Sequence, residues 1–281
     1  MYAICISNKG DILPESYLDK TSYSKNHVFP LVIGKEHYIY GINYHKTMCH
    51  YLVTLNSYFY PAWLPAELFK IDNNMLLTSP FYVSYQSSRS ILILCGYQEI
   101  LNSTHHDNLL EREKYDLELF KHRAQQLDIN NMVPWHWKRR ALQTKQGLTM
   151  KAQCIANKAE VLSFEQQQSL NFEPTTSFNL TIGNKYILYG MHAYKNTVFY
   201  LLIGDNPTLP CLYPADLFEL IDHLLPIEWY FNVTQQNGAL WGYKELITNP
   251  DHLDRLLRQD PDALALFNMR KQEVDEWECL S

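Results

Sequence analysis

The stretch MYAICISNK at residues 1–9 returns, slightly altered, as MKAQCIANK at residues 150–158. A shift of 149 residues places residues 1–71 on residues 150–220 without a gap, with identical residues at 21 of the 71 positions. This period is too long for a solenoid repeat, in which each unit contacts only its neighbours. The chain is therefore an internal duplication, and each copy is long enough to form a domain with its own core.

The two copies are predicted to form two domains, the first at residues 1–145 and the second at residues 150–281. The boundary is placed in the polar run QTKQGLT at 143–149. Two tryptophans precede this run, Trp135 and Trp137. They either pack one domain on the other or contact a partner, and the sequence leaves both interpretations open.

Each copy has the pattern of a small, curled antiparallel sheet followed by helices. Gly34 and Gly183, in the repeated Ile-Gly pair, are expected at positive φ in the turn before a strand. The Pro-x-x-x-Pro segments that begin at Pro61 and Pro210 are expected to form rigid corners, because proline cannot donate to a strand ladder. Helical spacing of apolar residues follows in both copies, and Asp260 is the predicted N-cap of the last helix.

Strands are predicted in short runs rich in Tyr, Val, Ile and Leu. These runs are residues 2–7, 37–42, 48–55, 79–85 and 90–96 in the first copy, and 151–156, 185–191, 197–204, 228–234 and 239–243 in the second. Five short, strongly bent strands favour closure into a barrel, since closure removes the exposed edges. We therefore predict an α+β, mainly β fold made of two barrel-like antiparallel repeats, each with C-terminal helices.

Composition and charge restrict the class of partner. Apolar residues make up 46% of the chain and charged residues 19%, which is enough apolar sequence for a packed core. The net charge is −6, with about +2 on residues 1–145 and about −8 on residues 146–281. An acidic half argues against nucleic acid and suits a basic protein partner.

No apolar run reaches the roughly 18 residues of a membrane span, and the start lacks a secretion signal, so a cytoplasmic location is predicted without a membrane partner.

The motifs of phosphate, dinucleotide, serine-hydrolase and zinc-protease sites (GxxxxGK[ST], GxGxxG, GxSxG and HExxH) are absent from the sequence. Lys35 follows Gly34, but the second copy has Asn184 at this position, so a phosphate-binding lysine is not indicated. The six cysteines are scattered without a CxxC pair, which is typical of buried, reduced thiols.

His45, Cys49 and His50 come nearest to a metal-binding or nucleophilic pattern. Their partners in the second copy are Tyr194, Val198 and Phe199, which cannot perform the same chemistry. The matched carboxylates Glu67 and Asp216 are interpreted as solvated loop residues or as salt-bridge contacts to a partner. We therefore predict no catalytic residue, no metal and no cofactor.

The repeated glycine turn, the YG strand, the YPADLF corner and the M-x-A-x-C-I-x-N-K opening resemble small bacterial and phage domains of the Src-homology-3-like barrel type. Single and tandem copies of such domains are encountered as immunity proteins beside polymorphic and type VI secretion toxins. The resemblance implies a non-catalytic protein that binds and blocks a cognate protein toxin encoded by a neighbouring gene. The first copy departs from the pattern, since Leu64 replaces Tyr213 at the corner.

The predicted interface combines the aromatic corner of the first copy with acidic loops of the second, because aromatic side chains anchor protein interfaces and acidic groups attract a basic partner. Its predicted residues are Tyr58, Phe59, Tyr60, Trp63, Asp205, Tyr213, Asp216, Glu219 and Asp222. Two other functions stay open. One is a peptide-binding adaptor, and the other is an enzyme with a site between the copies, built from His136, Cys49 or His105.

Overall fold

The structure is a computed structural model that describes residues 1–45, 48–55, 60–71, 81–85, 93–131, 148–205, 209–234 and 238–279. In the first half the strands and helices, in chain order, are β1 Tyr2–Cys5, α1 Glu15–Leu18, β2 Glu36–Tyr38, β3 Gly41–His45, β4 Met48–Leu55, β5 Tyr60–Pro65, β6 Phe69–Ile71, β7 Tyr82–Tyr85, β8 Ile93–Gly96, α2 Ser103–Glu111 and α3 Lys114–Asn131.

The second half repeats this order of elements and adds one short helix. Its strands and helices are β9 Met150–Cys154, α4 Phe164–Leu170, β10 Lys185–Leu188, β11 Gly190–Tyr194, β12 Thr197–Ile203, β13 Pro210–Pro214, β14 Phe218–Leu220, β15 Tyr230–Thr234, β16 Gly238–Gly242, α5 Lys244–Thr248, α6 His252–Leu257 and α7 Pro261–Cys279.

The strands form four antiparallel sheets, two in each half. The first half has a three-stranded sheet of order β2-β1-β6 and a five-stranded sheet of order β5-β4-β3-β8-β7. The second half has the corresponding sheets β10-β9-β14 and β13-β12-β11-β16-β15. The fold is therefore mixed, with antiparallel sheets and C-terminal helices. No pairing among the described strands closes any sheet into a barrel, which corrects the predicted closure.

The edges of the first five-stranded sheet are protected without closure. Strand β5, at one edge, contains Pro61 and Pro65, which have no N–H to offer to another strand. Strand β7, at the other edge, contacts the second half: Val83 N donates to His223 O (2.7 Å) and Leu225 N donates to Phe81 O (2.8 Å). The proline segments are thus edge strands, whereas the sequence predicted corners only.

The predicted strand at 37–42 is divided between two sheets. Residues Glu36–Tyr38 pair with β1, and the chain then bends into β3, which pairs with β4 and β8. Gly41 begins β3 where a Cβ atom would lie 3.0 Å from Trp63 Cη2 and 3.2 Å from Cys95 O. At the equivalent Gly190, a Cβ atom would lie 3.0 Å from Trp241 O and 2.7 Å from Leu246 Cδ2. Periodicity alone does not show this change of sheet.

The two faces of each five-stranded sheet belong to different cores. Along β4, Tyr51 and Val53 enter a large apolar cluster, and the intervening Leu52 enters a smaller one, as the two-residue period of a strand requires. The large cluster contains residues of both halves, and the rings of Tyr51 and Phe231 are 6.2 Å apart. The sequence predicted a separate core for each copy. The halves instead share their largest core.

The smaller clusters are specific to each half and lie beneath its C-terminal helices. Phe120 of α3 and Phe267 of α7 are fully buried in them at equivalent positions. The predicted N-cap is confirmed, since Asp260 Oδ1 accepts from the backbone N–H groups of Asp262 and Ala263, each at 3.1 Å. None of the described helices is long and apolar enough to cross a membrane. The domain boundary at 143–149 lies largely outside the described residues.

Candidate functional site

The predicted aromatic corner is only partly described. Tyr58 and Phe59, and the connector residues Trp135, His136 and Trp137, lie outside the described residues.

Two aromatic residues of the corner are described, and they differ in exposure. Tyr60 is exposed on the edge strand β5, with the Arg112 guanidinium 5.8 Å from its ring centre. Trp63 is partly buried against the smaller cluster, with its ring 5.3 Å from that of His106. Tyr60 therefore offers a surface, whereas Trp63 mainly packs.

Two of the residues predicted to contact a partner have internal roles. Tyr213 is 8% exposed and its ring packs 6.3 Å from that of Phe178, so it belongs to the core. Asp216 Oδ2 accepts from the hydroxyl of Tyr85 (2.6 Å) and from Gln166 Nε2 (3.0 Å). Because Tyr85 belongs to the first half, this carboxylate links the two halves. Sequence spacing did not reveal that contact.

The other predicted carboxylates are more accessible. Asp205 is exposed and accepts from Thr181 Oγ1 and from the Tyr186 hydroxyl, both at 2.6 Å, and these bonds hold the pKa of Asp205 below its usual value. Glu219 is exposed on β14. Asp222 is half-buried and caps a turn by accepting from Leu224 N (2.9 Å). Acidic groups thus lie on the surface of the second half.

Cys49 and His50, which come nearest to a nucleophilic pair, are neutral at pH 7. Burial raises the pKa of the Cys49 thiol well above its usual value. Burial also lowers the pKa of His50 to about 4, and His50 Nε2 is hydrogen-bonded to the Tyr17 hydroxyl (2.7 Å). Cys49 is therefore a thiol, not a thiolate, at neutral pH. No group of three His, Cys, Asp or Glu side chains within the described part of the chain is arranged to hold a metal ion.

A polar arrangement occurs at matched positions of both halves, and the sequence reasoning missed it. It consists of a Tyr–His hydrogen bond and an Arg–Glu ion pair, formed by Tyr97, His105, Glu99 and Arg123 and by Tyr243, His252, Glu245 and Arg270. The signal in the sequence was GYQE at 96–99 and GYKE at 242–245, each followed by a histidine and then by an F-x-x-R motif.

This repeated set attaches the C-terminal helices to the segment that follows the last strand of each half. The Tyr–His bond is 2.7 Å long in each half and is buried. Arg270 donates through Nε to Glu245 Oε2 (2.9 Å) and through Nη2 to Glu245 Oε1 (2.6 Å), which lowers the pKa of Glu245. The halves differ at one position, because Asp116 accepts from His105 in the first half and Ala263 stands there in the second.

A cavity of about 310 Å³ lies beside this set in the second half. Aromatic and aliphatic side chains form much of its lining, together with two basic and two acidic residues. Its lining residues are Leu148, Tyr189, Pro226, Glu228, Trp229, Tyr230, Tyr243, Lys244, Arg270, Glu273 and Val274. The cavity thus lies between the end of the sheet and one face of α7.

A pair of isoleucines is exposed at the same place in both halves. Ile6 is 45% exposed and its counterpart Ile155 is 53% exposed, while Ile33 and Ile182 are 60% and 57% exposed. We call these two pairs, Ile6 with Ile33 and Ile155 with Ile182, the isoleucine patches. Each lies beside the repeated glycine turn.

The glycine turn brings each pair together. Gly34 and Gly183 have φ of 83° and 90°, as predicted, and stand third in a β-turn closed by a 3.1 Å backbone hydrogen bond. Ile33 and Ile182 occupy the second turn position. The glycine N–H donates to the carbonyl of Cys5 or Cys154 at 2.8 Å, so Ile6 and Ile155 follow directly beside the turn.

No family model matches this chain, and neither a curated protein nor a solved structure matches it.

Proposed function

We propose that the protein is a non-catalytic binding protein that recognises another protein through the isoleucine patches and the acidic surface of its second half. Its specific role in this proposal is that of an immunity protein, which binds and blocks a cognate secreted antibacterial toxin. The observation that carries the proposal is the exposure of identical aliphatic side chains at matched positions of two copies that otherwise differ widely.

Folding explains most identities between the copies but not these. Cys5 and Cys154 are identical and buried, so packing accounts for them. The side chains of Asn8 and Asn157 donate to the backbone carbonyls of Leu31 and Leu180, at 3.2 and 3.1 Å. The isoleucine patches make no comparable internal contribution, since about half of each side chain faces solvent. Exposed apolar side chains grouped beside a rigid turn are typical of an interaction surface.

Charge supports a basic partner. The second half carries a net charge of about −8, and Asp205 and Glu219 are exposed on it. A negative surface attracts a positively charged protein and accelerates its association. Secreted toxins that act on nucleic acid or on other anionic substrates have basic clefts, which such a surface complements.

The finer fold assignment belongs to the same proposal. We regard the two halves as divergent Src-homology-3-like repeats, and the identical order of strands in both halves supports a common ancestor. Two of the features that resemble immunity proteins, the glycine turn and the M-x-A-x-C-I-x-N-K opening, are the segments that carry the isoleucine patches.

The decisive experiment is purification of the tagged chain together with the product of the neighbouring gene. We expect a stable complex with a Kd near the nanomolar range, about −12 kcal/mol, measured by calorimetry. Ile33→Asp and Ile182→Asp should each weaken the complex at least about tenfold, because a charge replaces an apolar contact.

Ile221→Asp provides the matched control. Ile221 is also exposed, but its counterpart in the first half is Asp72, so the position is not reproduced as apolar. This variant should bind at least as tightly as the wild type, because the added negative charge lies on the acidic second half. The proposal fails if the neighbouring product does not bind, or if all three variants bind equally well.

A further inference from the structure

We propose that Asp205 and the isoleucine patch of the second half together bind an arginine side chain of the partner protein. The inference deepens the proposed function and rests on it, because it names the group that this patch recognises. Thr181, which directly precedes Ile182 of the patch, donates a hydrogen bond from its hydroxyl to Asp205 (2.6 Å). The carboxylate is therefore bonded to the residue next to an exposed isoleucine.

Asp205 is exposed but held in one orientation. Its Oδ2 atom accepts from the Thr181 hydroxyl and its Oδ1 atom accepts from the Tyr186 hydroxyl, both at 2.6 Å. The Tyr186 oxygen in turn accepts from Thr181 N (2.9 Å). The backbone N–H of Asp205 donates to Asn179 O (3.0 Å). A side chain that is ordered before binding loses less conformational entropy when a ligand arrives.

The charge of Asp205 has no counter-ion in the described part of the chain. Thr181 and Tyr186 are neutral donors, and their hydrogen bonds lower the pKa of Asp205, so this carboxylate is ionised at neutral pH. No Lys, Arg or His among the described residues forms an ion pair with it. An ionised carboxylate beside apolar side chains suits a cation carried on an aliphatic stem, as in Arg and Lys.

The unused lone pairs of the carboxylate favour arginine over lysine. A carboxylate oxygen has two lone pairs, and each oxygen of Asp205 already accepts one hydrogen bond. One lone pair on each oxygen remains, which matches the two parallel N–H donors of a guanidinium. The aliphatic stem of the arginine can then pack on Ile182, more than half of which is exposed.

The isoleucine patch of the first half lacks this carboxylate. Val32 and Asn56 stand in the sequence at the positions of Thr181 and Asp205, so a hydroxyl–carboxylate bond cannot form there. Val32 is itself 64% exposed and extends the apolar surface beside Ile33. The two patches therefore offer different chemistry, and only that of the second half is expected to bind arginine.

Titration of the full chain with three short peptides, followed by NMR, tests this inference. The peptides are acetyl-Gly-Ile-Arg-Ile-Gly-amide and two analogues with lysine or neutral citrulline in place of arginine. We expect saturable shifts at Thr181, Ile182 and Asp205 with a Kd of about 1–5 mM for the arginine peptide. The lysine peptide should bind about threefold more weakly, and the citrulline peptide at least about tenfold more weakly.

Variants separate the charge of the carboxylate from its position. Asp205→Asn should weaken binding of the arginine peptide at least about tenfold and remove the preference over citrulline. Thr181→Val should weaken binding about threefold, because Asp205 loses one of the bonds that orient it, and Thr181→Ser should restore binding. Asp254→Asn, which removes the same charge from an exposed position of α6, is the matched control and should bind like the wild type.

The same variants in complex with the neighbouring gene product separate this inference from the proposed function. If no complex forms, the proposed function fails, and the peptide titrations still decide whether Asp205 binds arginine. If a complex forms, Asp205→Asn should weaken it at least about tenfold. The inference is overturned by an absence of saturable shifts up to about 10 mM peptide, by equal binding of the arginine and citrulline peptides, or by equal effects of Asp205→Asn and Asp254→Asn in either assay.

Discussion

The two halves share a fold, but the matched carboxylates Asp216 and Glu67 differ in their hydrogen bonds. Asp216 of the second half accepts two hydrogen bonds, one of them across to Tyr85 of the first half. Its counterpart Glu67 has a buried Oε2 atom with no hydrogen-bond partner, and burial raises its pKa. Both copies thus have a carboxylate at this corner, but among the contacts of the described residues only that of Asp216 joins the halves.

A second difference lies beneath the helices. His105 and His252 occupy matched positions and make the same bond to a tyrosine. Only His105 also bonds to a buried carboxylate, that of Asp116, which in addition accepts from Asn108 (2.8 Å). The Tyr–His bond is therefore common to both copies, whereas the further contact to a buried carboxylate belongs to the first copy. Variants at matched positions test whether the hydrogen bonds of Asp216 and Asp116 stabilise the protein.

The largest effect is expected from truncating the matched core phenylalanines. Phe120→Ala and Phe267→Ala should each lower the free energy of unfolding by about 3–5 kcal/mol, because both rings are fully buried. Urea unfolding followed by circular dichroism measures this loss. Since the halves share their largest core, each variant should still unfold in one transition, and two separate transitions would show that the halves are independent.

Asp116→Ala makes the first half resemble the second, which has Ala263 at this position. The variant should lose about 2–4 kcal/mol at pH 7, because His105 and Asn108 lose a buried acceptor. The bond from His105 lowers the pKa of Asp116. The stability that ionised Asp116 contributes is therefore complete above the ordinary Asp pKa of about 3.9. It is lost as the pH falls through the lower pKa that Asp116 has in the folded state.

Urea unfolding at a series of pH values measures this dependence. The difference between wild type and Asp116→Ala should shrink as the pH falls below about 4. A difference that stays constant down to pH 2 would mean that the charge of Asp116 does not contribute.

The matched carboxylates at the corner should respond with opposite signs. Asp216→Ala should lower stability by about 1–3 kcal/mol, because the partly buried Tyr85 hydroxyl and Gln166 lose their acceptor. Glu67→Gln should leave stability unchanged or raise it by up to about 1 kcal/mol at pH 7. The raised folded pKa of Glu67 means that its charge is unfavourable at neutral pH. The gain should therefore shrink as the pH falls below that folded pKa and vanish below the ordinary Glu pKa of about 4.3.

Thermal and urea unfolding of the two variants in parallel measure these effects. Equal losses in Asp216→Ala and Glu67→Gln would contradict the difference that the structure shows between the two corners.

The smallest effect on stability is expected at the isoleucine patches. Ile33→Asp and Ile182→Asp should each change the free energy of unfolding by less than about 0.5 kcal/mol, because both side chains are exposed in a turn. Urea unfolding checks this value. A loss above about 2 kcal/mol would show that the isoleucines support the fold, and would remove the main argument for an interaction surface.

Much of the fold was predictable where it depends on the conformational preferences of single residues and their neighbours. The φ of Gly34 and the N-cap at Asp260 follow from the conformational preferences of single residues. The division of 37–42 between two sheets was not predictable, because both strands have the same apolar pattern and the change of pairing partner depends on distant segments of the chain.

The candidate site was harder to predict than the fold. Tyr213 and Asp216 were expected to face a partner, but one is in the core and the other bonds to Tyr85, 131 residues away. A contact of this separation leaves no periodic signal in the sequence. The isoleucine patches were missed for the opposite reason, since an isolated isoleucine in an apolar stretch looks like a core residue until its exposure is known.

The amino-acid sequence alone determined that the chain is duplicated, that each copy alternates apolar residues in short strands, and that helices follow, because these features depend on residue order and local preference. Only the tertiary structure decided that the copies share a core, that the described strands form open sheets rather than closed barrels, and which matched side chains face solvent. Those outcomes depend on the free energy of contacts between distant segments, and the same local pattern is compatible with more than one such arrangement.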